Sequence, residues 1–213
     1  MIHGMWVTSH IWENYRDFFE QRGYLTKTPT LLHHRKFPYS GELKGVHIMD
    51  YVQQCVKEIK DMEEKPIIIG HSMGGLIAQK LAEFGLAEKL ILIASAPPKG
   101  ISPLSWCVLW TYLRNIPEIT VGKPFKVPLS KARYGIMNTL SVEDQERFYS
   151  QFVYESPWAP REIVVGSTSV DASEVTCPAL VATGTQDRVM PPRIAKKIAE
   201  KYHASYVEYS GYC

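Results

Sequence analysis

An apolar, β-branched run, Ile67-Ile68-Ile69, feeds directly into Gly70-His71-Ser72-Met73-Gly74 and then into Leu76-Ile77-Ala78-Gln79-Lys80-Leu81. This order reads as strand, tight turn and helix. Such a turn forces a strained backbone at Ser72 and lifts its Oγ off the sheet, with the positive end of the helix behind it. Gly70 and Gly74 are needed because a Cβ at either would collide with a neighbouring strand or helix as the chain reverses. A bare Gly-x-Ser-x-Gly arises by chance in any Gly/Ser-rich turn. The strand before it and the helix after it make Ser72 a candidate nucleophile.

At 213 residues the chain is long enough for one domain with a large core, or one domain carrying an insertion. Its 45% hydrophobic and 22% charged content is that of an ordinary globular protein. The net charge of +2, with Lys and Glu interleaved along helical faces, gives no reason to propose nucleic acid as a partner. No run of 18 apolar residues is present, so no membrane span is expected. Met1-Ile2-His3-Gly4 lacks the basic and apolar regions of a signal peptide. Cys55, Cys107, Cys177 and Cys213 have no metal-type spacing, and Cys55 falls on the apolar face of a helix. A cytoplasmic protein with reduced thiols and no metal is expected.

Along the chain, strands alternate with helices. Ile11 to Arg22 reads as a helix with Trp12, Tyr15, Phe18 and Phe19 on one face and Gly23 as its stop, and Tyr24 to Thr28 as a short strand. From Val46, the apolar residues Ile48, Val52, Cys55, Ile59 and Met62 form the stripe of a helix lying on a sheet. Leu90–Ala94 and Ala179–Ala182 are continuous apolar strands of the kind covered on both faces. Arg193 to Tyr202 is a helix and Ser205 to Tyr209 a last strand. The alternation implies a mostly parallel α/β sheet with helices on both faces. Residues 96–172 break the rhythm: they open on Pro97-Pro98-Lys99-Gly100, are rich in aromatics and prolines, and hold helical runs near Leu104–Leu113 and Val142–Tyr154. They read as a helical cap inserted after the strand ending near Ala94, leaving 1–95 and 173–213 as the core. The alternative is a helical subdomain that merely packs.

His3-Gly4-Met5-Trp6, the Gly70–Gly74 elbow and Gly184-Thr185-Gln186-Asp187 occur in an order that resembles the α/β-hydrolase superfamily. The likeness is to its small, capped serine esterase or lysophospholipase-like members, and it covers nearly the whole chain. The resemblance implies an α/β-hydrolase fold, with Ser72 as nucleophile and Asp187 as the acid that orients and stabilises an imidazole. It also implies an oxyanion hole from the backbone N–H groups of Met73 and Met5. His3 and His71 belong to the motif in structural roles. The alternative for Asp187 is a turn residue that caps the helix near Pro191-Pro192.

The superfamily's chain order places the catalytic histidine in a loop after the last strand, and no histidine follows Tyr209. His203 precedes that strand and lies on the order of 15 Å away at the opposite end of the sheet. His10 and the His33–His34 pair stand in loops on the Ser72 edge and are alternative bases, though such residues more often line a rim. The superfamily's upstream strands are missing as well. The expectation is therefore a fragment of a longer polypeptide, with the base just beyond Cys213. Without a base, triad chemistry falls by about a million-fold.

A serine nucleophile points to acyl transfer on a small-molecule carboxylic ester or related acyl bond. The cap residues Ile101, Leu104, Trp106, Val108, Leu109, Trp110 and Leu113 suggest an apolar pocket, with Trp6, Trp106 and Trp110 as substrate-binding residues. The alternative is that the same residues only pack the cap onto the core. No arginine cluster suggests an anionic substrate, and nothing calls for a cofactor. Two other readings stand beside the esterase: a cofactor-free perhydrolase or C–C hydrolase, and a hydrolase-fold protein that binds its ligand without catalysis. The oligomeric state is open.

Overall fold

The computed structural model of the chain describes residues 1–34 and 41–213. A 3₁₀ turn at Ser9–Trp12 leads into α1 (Glu13–Glu20), followed by α2 (Ile48–Lys60). Then β1 (Ile67–His71) runs through the elbow into α3 (Met73–Glu83), and β2 (Lys89–Ile93) follows. The segment between β2 and the next strand carries α4 (Trp106–Tyr112), α5 (Ile116–Thr120), α6 (Leu129–Gly135), α7 (Val142–Tyr149) and α8 (Trp158–Val165). Next come β3 (Ala179–Gly184), α9 (Pro192–Tyr202) and β4 (Ser205–Tyr209).

The four strands form one parallel sheet in the order β1-β2-β3-β4, flanked by helices on both sides. Ile2 adds a single parallel bridge to Gly70 on the free edge of β1, donating to Ile69 O at 2.8 Å and accepting from His71 N–H at 3.0 Å. The continuous apolar strands are buried as such runs require: Leu90, Leu92 and Val181 are closed to solvent. α3 is apolar nearly all round because it is wedged between the sheet and α2, with α9 beside it. Its one polar residue in that interior, Gln79, donates to Ser95 Oγ and Ala96 O and accepts from Tyr202 Oη at 2.8 Å. A buried amide with these partners satisfies its donors and acceptor without water.

Two expectations are corrected. Tyr24–Thr28 is not a strand: Lys27 O accepts from the Met1 amino group and Thr26 bonds the Glu20 carboxylate, so this backbone runs past the core without a strand partner. The first helix is also shorter than Ile11–Arg22, and its aromatic face does not enter the core. Only Trp12 is buried, with Tyr15 edge-to-face on it, while Phe18, Phe19 and Tyr24 stack edge-to-face in a separate, partly exposed cluster.

One buried carboxylate ties the segment between β2 and β3 to the core. Glu155 pairs across an antiparallel bridge with Phe125, exchanging both backbone bonds. Its Oε1 accepts from Tyr51 Oη on α2 at 2.8 Å and from Ser156 N–H at 2.7 Å, and its Oε2 meets His34 Nε2 at 2.9 Å. Burial alone would lower the His34 pKa, but the charge and hydrogen bond of Glu155 outweigh it and hold the imidazole above its ordinary value. Glu155→Ala would strand an imidazolium and a tyrosine hydroxyl in the interior. It is expected to lower unfolding free energy by about 3–5 kcal/mol, read as a fall in the urea midpoint.

Candidate active site

The elbow has the strain its sequence implies. Ser72 sits at φ +53°, ψ −121°, a conformation that L-residues rarely adopt, between the end of β1 and the first turn of α3. It is held from both sides: its N–H donates to Ile93 O at 3.1 Å, and its carbonyl accepts from Gly75 and Ala96 N–H, each at 2.9 Å. The tight turn leaves no room at the flanking glycines. A Cβ on Gly70 would strike the Gly74 carbonyl, and one on Gly74 would strike the Ile2 and His3 carbonyls. Backbone cannot move aside as a side chain can, so both positions need glycine.

The Gly74 contact also explains why the N-terminal loop lies over the elbow. A Cβ on Gly4 would lie 3.0 Å from Ser72 Cβ, so this loop presses directly on Ser72. His3 fixes its shape. Leu31 N–H donates to His3 Nε2 at 3.0 Å, which leaves the proton on Nδ1 to donate to Gly4 O at 2.8 Å. The Gly4 carbonyl and the Met5 N–H share one peptide plane, so this bond also sets where the Met5 N–H points. On the other side, Met73 is the first residue of α3, and its N–H has no acceptor within the helix. Met5 and Met73 are both buried.

Asp187 lies three residues past the end of β3, with Ser72 one residue past β1 at the same edge. Two strand spacings separate them, about 10 Å of sheet. Its Oδ1 accepts from Val189 N–H at 2.9 Å and Met190 N–H at 2.7 Å. Burial raises its pKa, and the two N–H bonds oppose that only partly. Residues 209–212 run beside this turn: Thr185 N–H donates to Tyr209 O at 3.0 Å and Gln186 N–H to Tyr212 O at 2.8 Å.

Among the described residues, no histidine is hydrogen-bonded to Asp187 or Ser72. His10 pairs with Glu13, His33 with Glu42, His34 with Glu155 and His47 with Glu162. His203 caps the far end of α9 ahead of β4. His3 and His71 are held neutral. Burial, with His34 nearby, lowers His3 to about 3, and burial lowers His71 to about 4.

The three candidate tryptophans separate. Trp6, at φ +62°, is buried against Phe125 and Tyr112 with ring centroids 5.8 and 5.7 Å away, and its carbonyl accepts from Val153 N–H at 2.7 Å. Trp106 and Trp110 stand on the outer surface of α4. Two open clefts of about 420 and 560 Å³ are lined by residues around His47 and Glu162, and around Thr30 and His33, and not by Ser72 or Asp187. Sequence reasoning missed the Tyr51–Glu155–His34 network, whose members carry no local motif.

A parallel α/β sheet whose first long strand delivers a strained serine to a helix N-terminus defines the class of nucleophile-elbow α/β proteins. A model of the alpha/beta hydrolase family matches residues 1–212, and the chain belongs to that family. No curated protein matches the chain significantly. Solved structures share the fold at low identity. An extracellular alpha/beta-hydrolase from a Paenibacillus species superposes with a TM-score of 0.76 at 19% identity, covering 99% of this chain and 88% of that one. Polyneuridine aldehyde esterase gives 0.71 at 15% identity, with coverage of 99% and 90%. A pyrethroid hydrolase from Sphingobium faniae gives 0.71 at 19%, with coverage of 98% and 86%.

The two neutral imidazoles give the fold a directed pH dependence. Unfolded, each binds its proton near 6.5; folded, only near 3 and 4. Between those values unfolding takes up protons, so stability falls on acidification, by about 1.4 kcal/mol per pH unit for each imidazole. The raised His34 acts in the opposite window: its contribution is complete below 6.5 and is lost as pH rises through its folded value. Urea midpoints that stayed level from pH 6.5 down to 5 would contradict this assignment.

Proposed function

We propose that the protein is a serine hydrolase that cleaves a carboxylic ester, or a related acyl bond, of a hydrophobic small molecule through an acyl-enzyme at Ser72. The observation that carries this reading is the strained elbow, with Gly4 pressed on Ser72 and the Asp187 turn at the same sheet edge. Ser72 Oγ attacks the carbonyl carbon, and the developing oxyanion is received by the N–H groups of Met73 and Met5. The alcohol leaves with a proton, and water then releases the acid. Asp187, raised by burial, gains from a cation beside it, which is the role of the acid that orients a catalytic imidazole. Trp6, enclosed by Tyr112 and Phe125, serves as an apolar wall beside the oxyanion loop, and 96–172 serves as the cap. Trp106 and Trp110 reach a substrate only if it extends to the outer face of α4. The free thiols of all four cysteines support a reducing, cytoplasmic setting. Among the described residues, no helix is long and apolar enough to cross a membrane.

A second reading is favoured by one specific observation: no described histidine bonds Asp187. It is a hydrolase-fold protein that keeps the pocket and binds its ligand without turning it over. Perhydrolase or C–C hydrolase chemistry on the same serine differs from the ester reading only in substrate.

A fluorophosphonate probe distinguishes these readings. The esterase reading expects one covalent label per chain, abolished in Ser72→Ala, with a labelling rate that rises when imidazole is added to the buffer. Asp187→Asn is expected to slow turnover of a p-nitrophenyl ester by about 10⁴-fold wherever an imidazole base operates. Saturable binding of the same ester with no label, with or without imidazole, would sink the esterase and favour the binding protein.

A further inference from the structure

The helical rod running from Trp106 to Thr120, made of α4, a 3₁₀ turn at Leu113–Asn115 and α5, has two faces of opposite character. Its inner face is held in place: Val108 and Thr111 are buried, Thr111 lies where a Cβ on Gly135 would strike, and Tyr112 packs on Trp6. The outer face carries Trp106, Leu109, Trp110, Leu113 and Ile116, a three- and four-residue spacing that lines one side of a helix. Trp106 is 75% exposed and the other four between 42% and 51%, with Leu104 and Val121 exposed at the two ends. Single exposed apolar side chains need no explanation, but a continuous stripe on a rigid support does.

The charge around the stripe says what covers it. From Ala96 to Ser141 the chain carries Lys99, Arg114, Lys123, Lys126, Lys131 and Arg133 against Glu118 alone, although the whole protein has a net charge of only +2. Several of these cations stand at the margin of the stripe. Arg114 is exposed next to Leu113 and Lys123 is exposed two residues past Val121, while Lys131 is buried with its Nζ 3.4 Å over the Trp110 ring. Arg193, from α9, donates to Ser102 O and Leu104 O at the near end. Arg133 is engaged by Glu146. Trp and Leu on one side of a helix, bordered by Lys and Arg, is the composition of an element that lies in a membrane interface, apolar side down and cations among the headgroups. A second copy fits poorly, because a two-fold contact would set one basic margin against another.

We propose that this outer face docks the protein on an anionic lipid surface, with Trp106, Leu109, Trp110, Leu113 and Ile116 entering the interface and Arg114, Lys123 and Arg193 facing the headgroups. The docking goes beyond the hydrolase reading and does not depend on it.

Cosedimentation of Ser72→Ala protein with vesicles tests this, because binding is then read without turnover. The vesicles are phosphatidylcholine, with or without about one third phosphatidylglycerol. Binding is expected on the anionic vesicles, weaker on the neutral ones, and weakened by salt. The exposed double substitution Leu109→Glu/Leu113→Glu is expected to cut the partition coefficient at least about tenfold with an unchanged thermal midpoint. Arg114→Glu/Lys123→Glu is expected to abolish the preference for anionic lipid while leaving the protein folded. Absence of binding to either vesicle would overturn the proposal, as would binding indifferent to both variants. A concentration-dependent dimer that Leu109→Glu/Leu113→Glu dissolves would reassign the face to a second copy and overturn it equally.

Discussion

Placing Glu155 beneath the inserted helices takes a carboxylate out of water, a transfer that costs several kcal/mol unless its oxygens find donors. The donors come from far apart in the chain: Tyr51 on α2, His34 in the loop before it, and Ser156 next door. None of these bonds can form until α2, the N-terminal loops and the inserted segment have all reached their places. The consequences spread outward. His34 sits edge-on to His3 at a centroid distance of 5.1 Å, and the charge it carries is one reason His3 is kept neutral. A neutral His3 is what accepts from Leu31 and donates to Gly4. The buried pair thus reaches the peptide that carries the Met5 N–H through one ring contact and one hydrogen bond.

The elbow is a second constraint, local where the first is global. Ser72 stays at positive φ because bonds to Ile93, Gly75 and Ala96 over-determine it, and because Gly74 lets the Ile2–His3 carbonyls descend onto α3. The single bridge of Ile2 to Gly70 then aligns the N-terminal loop with the end of β1. Strain at the serine and closeness of the loop are one feature, since neither survives a Cβ at Gly74.

What the sequence made legible follows from the range of the interactions. The strands at 67–71, 89–93, 179–184 and 205–209, and the helices between them, were readable because each is set by its own apolar run and its own stop. The elbow was readable for the same reason: five consecutive residues carry both its turn and its strain. The Tyr51–Glu155–His34 network was not, because Glu155 lies more than a hundred residues from both partners and such pairing leaves no local pattern. Tyr24–Thr28 has strand-like composition but no strand beside it, and composition cannot supply a neighbour. The helix at Glu13–Glu20 and the rod at Trp106–Thr120 share a further lesson. Amphipathic spacing shows that one side of a helix is apolar and does not say that this side faces the core.

That last ambiguity bears on how the inserted segment relates to the sheet below it. Tyr112 and Phe125 close around Trp6 from within, while Trp106, Leu109 and Leu113 face outward from the same stretch of chain. Here the apolar surface is divided between the two faces. The inner share adjoins the loop that carries Met5, and the outer share is bordered by cations. One short helix thus carries two apolar faces, one packed through Tyr112 on Trp6 and one open to solvent, and its amphipathic spacing alone could not say which of them the core would take.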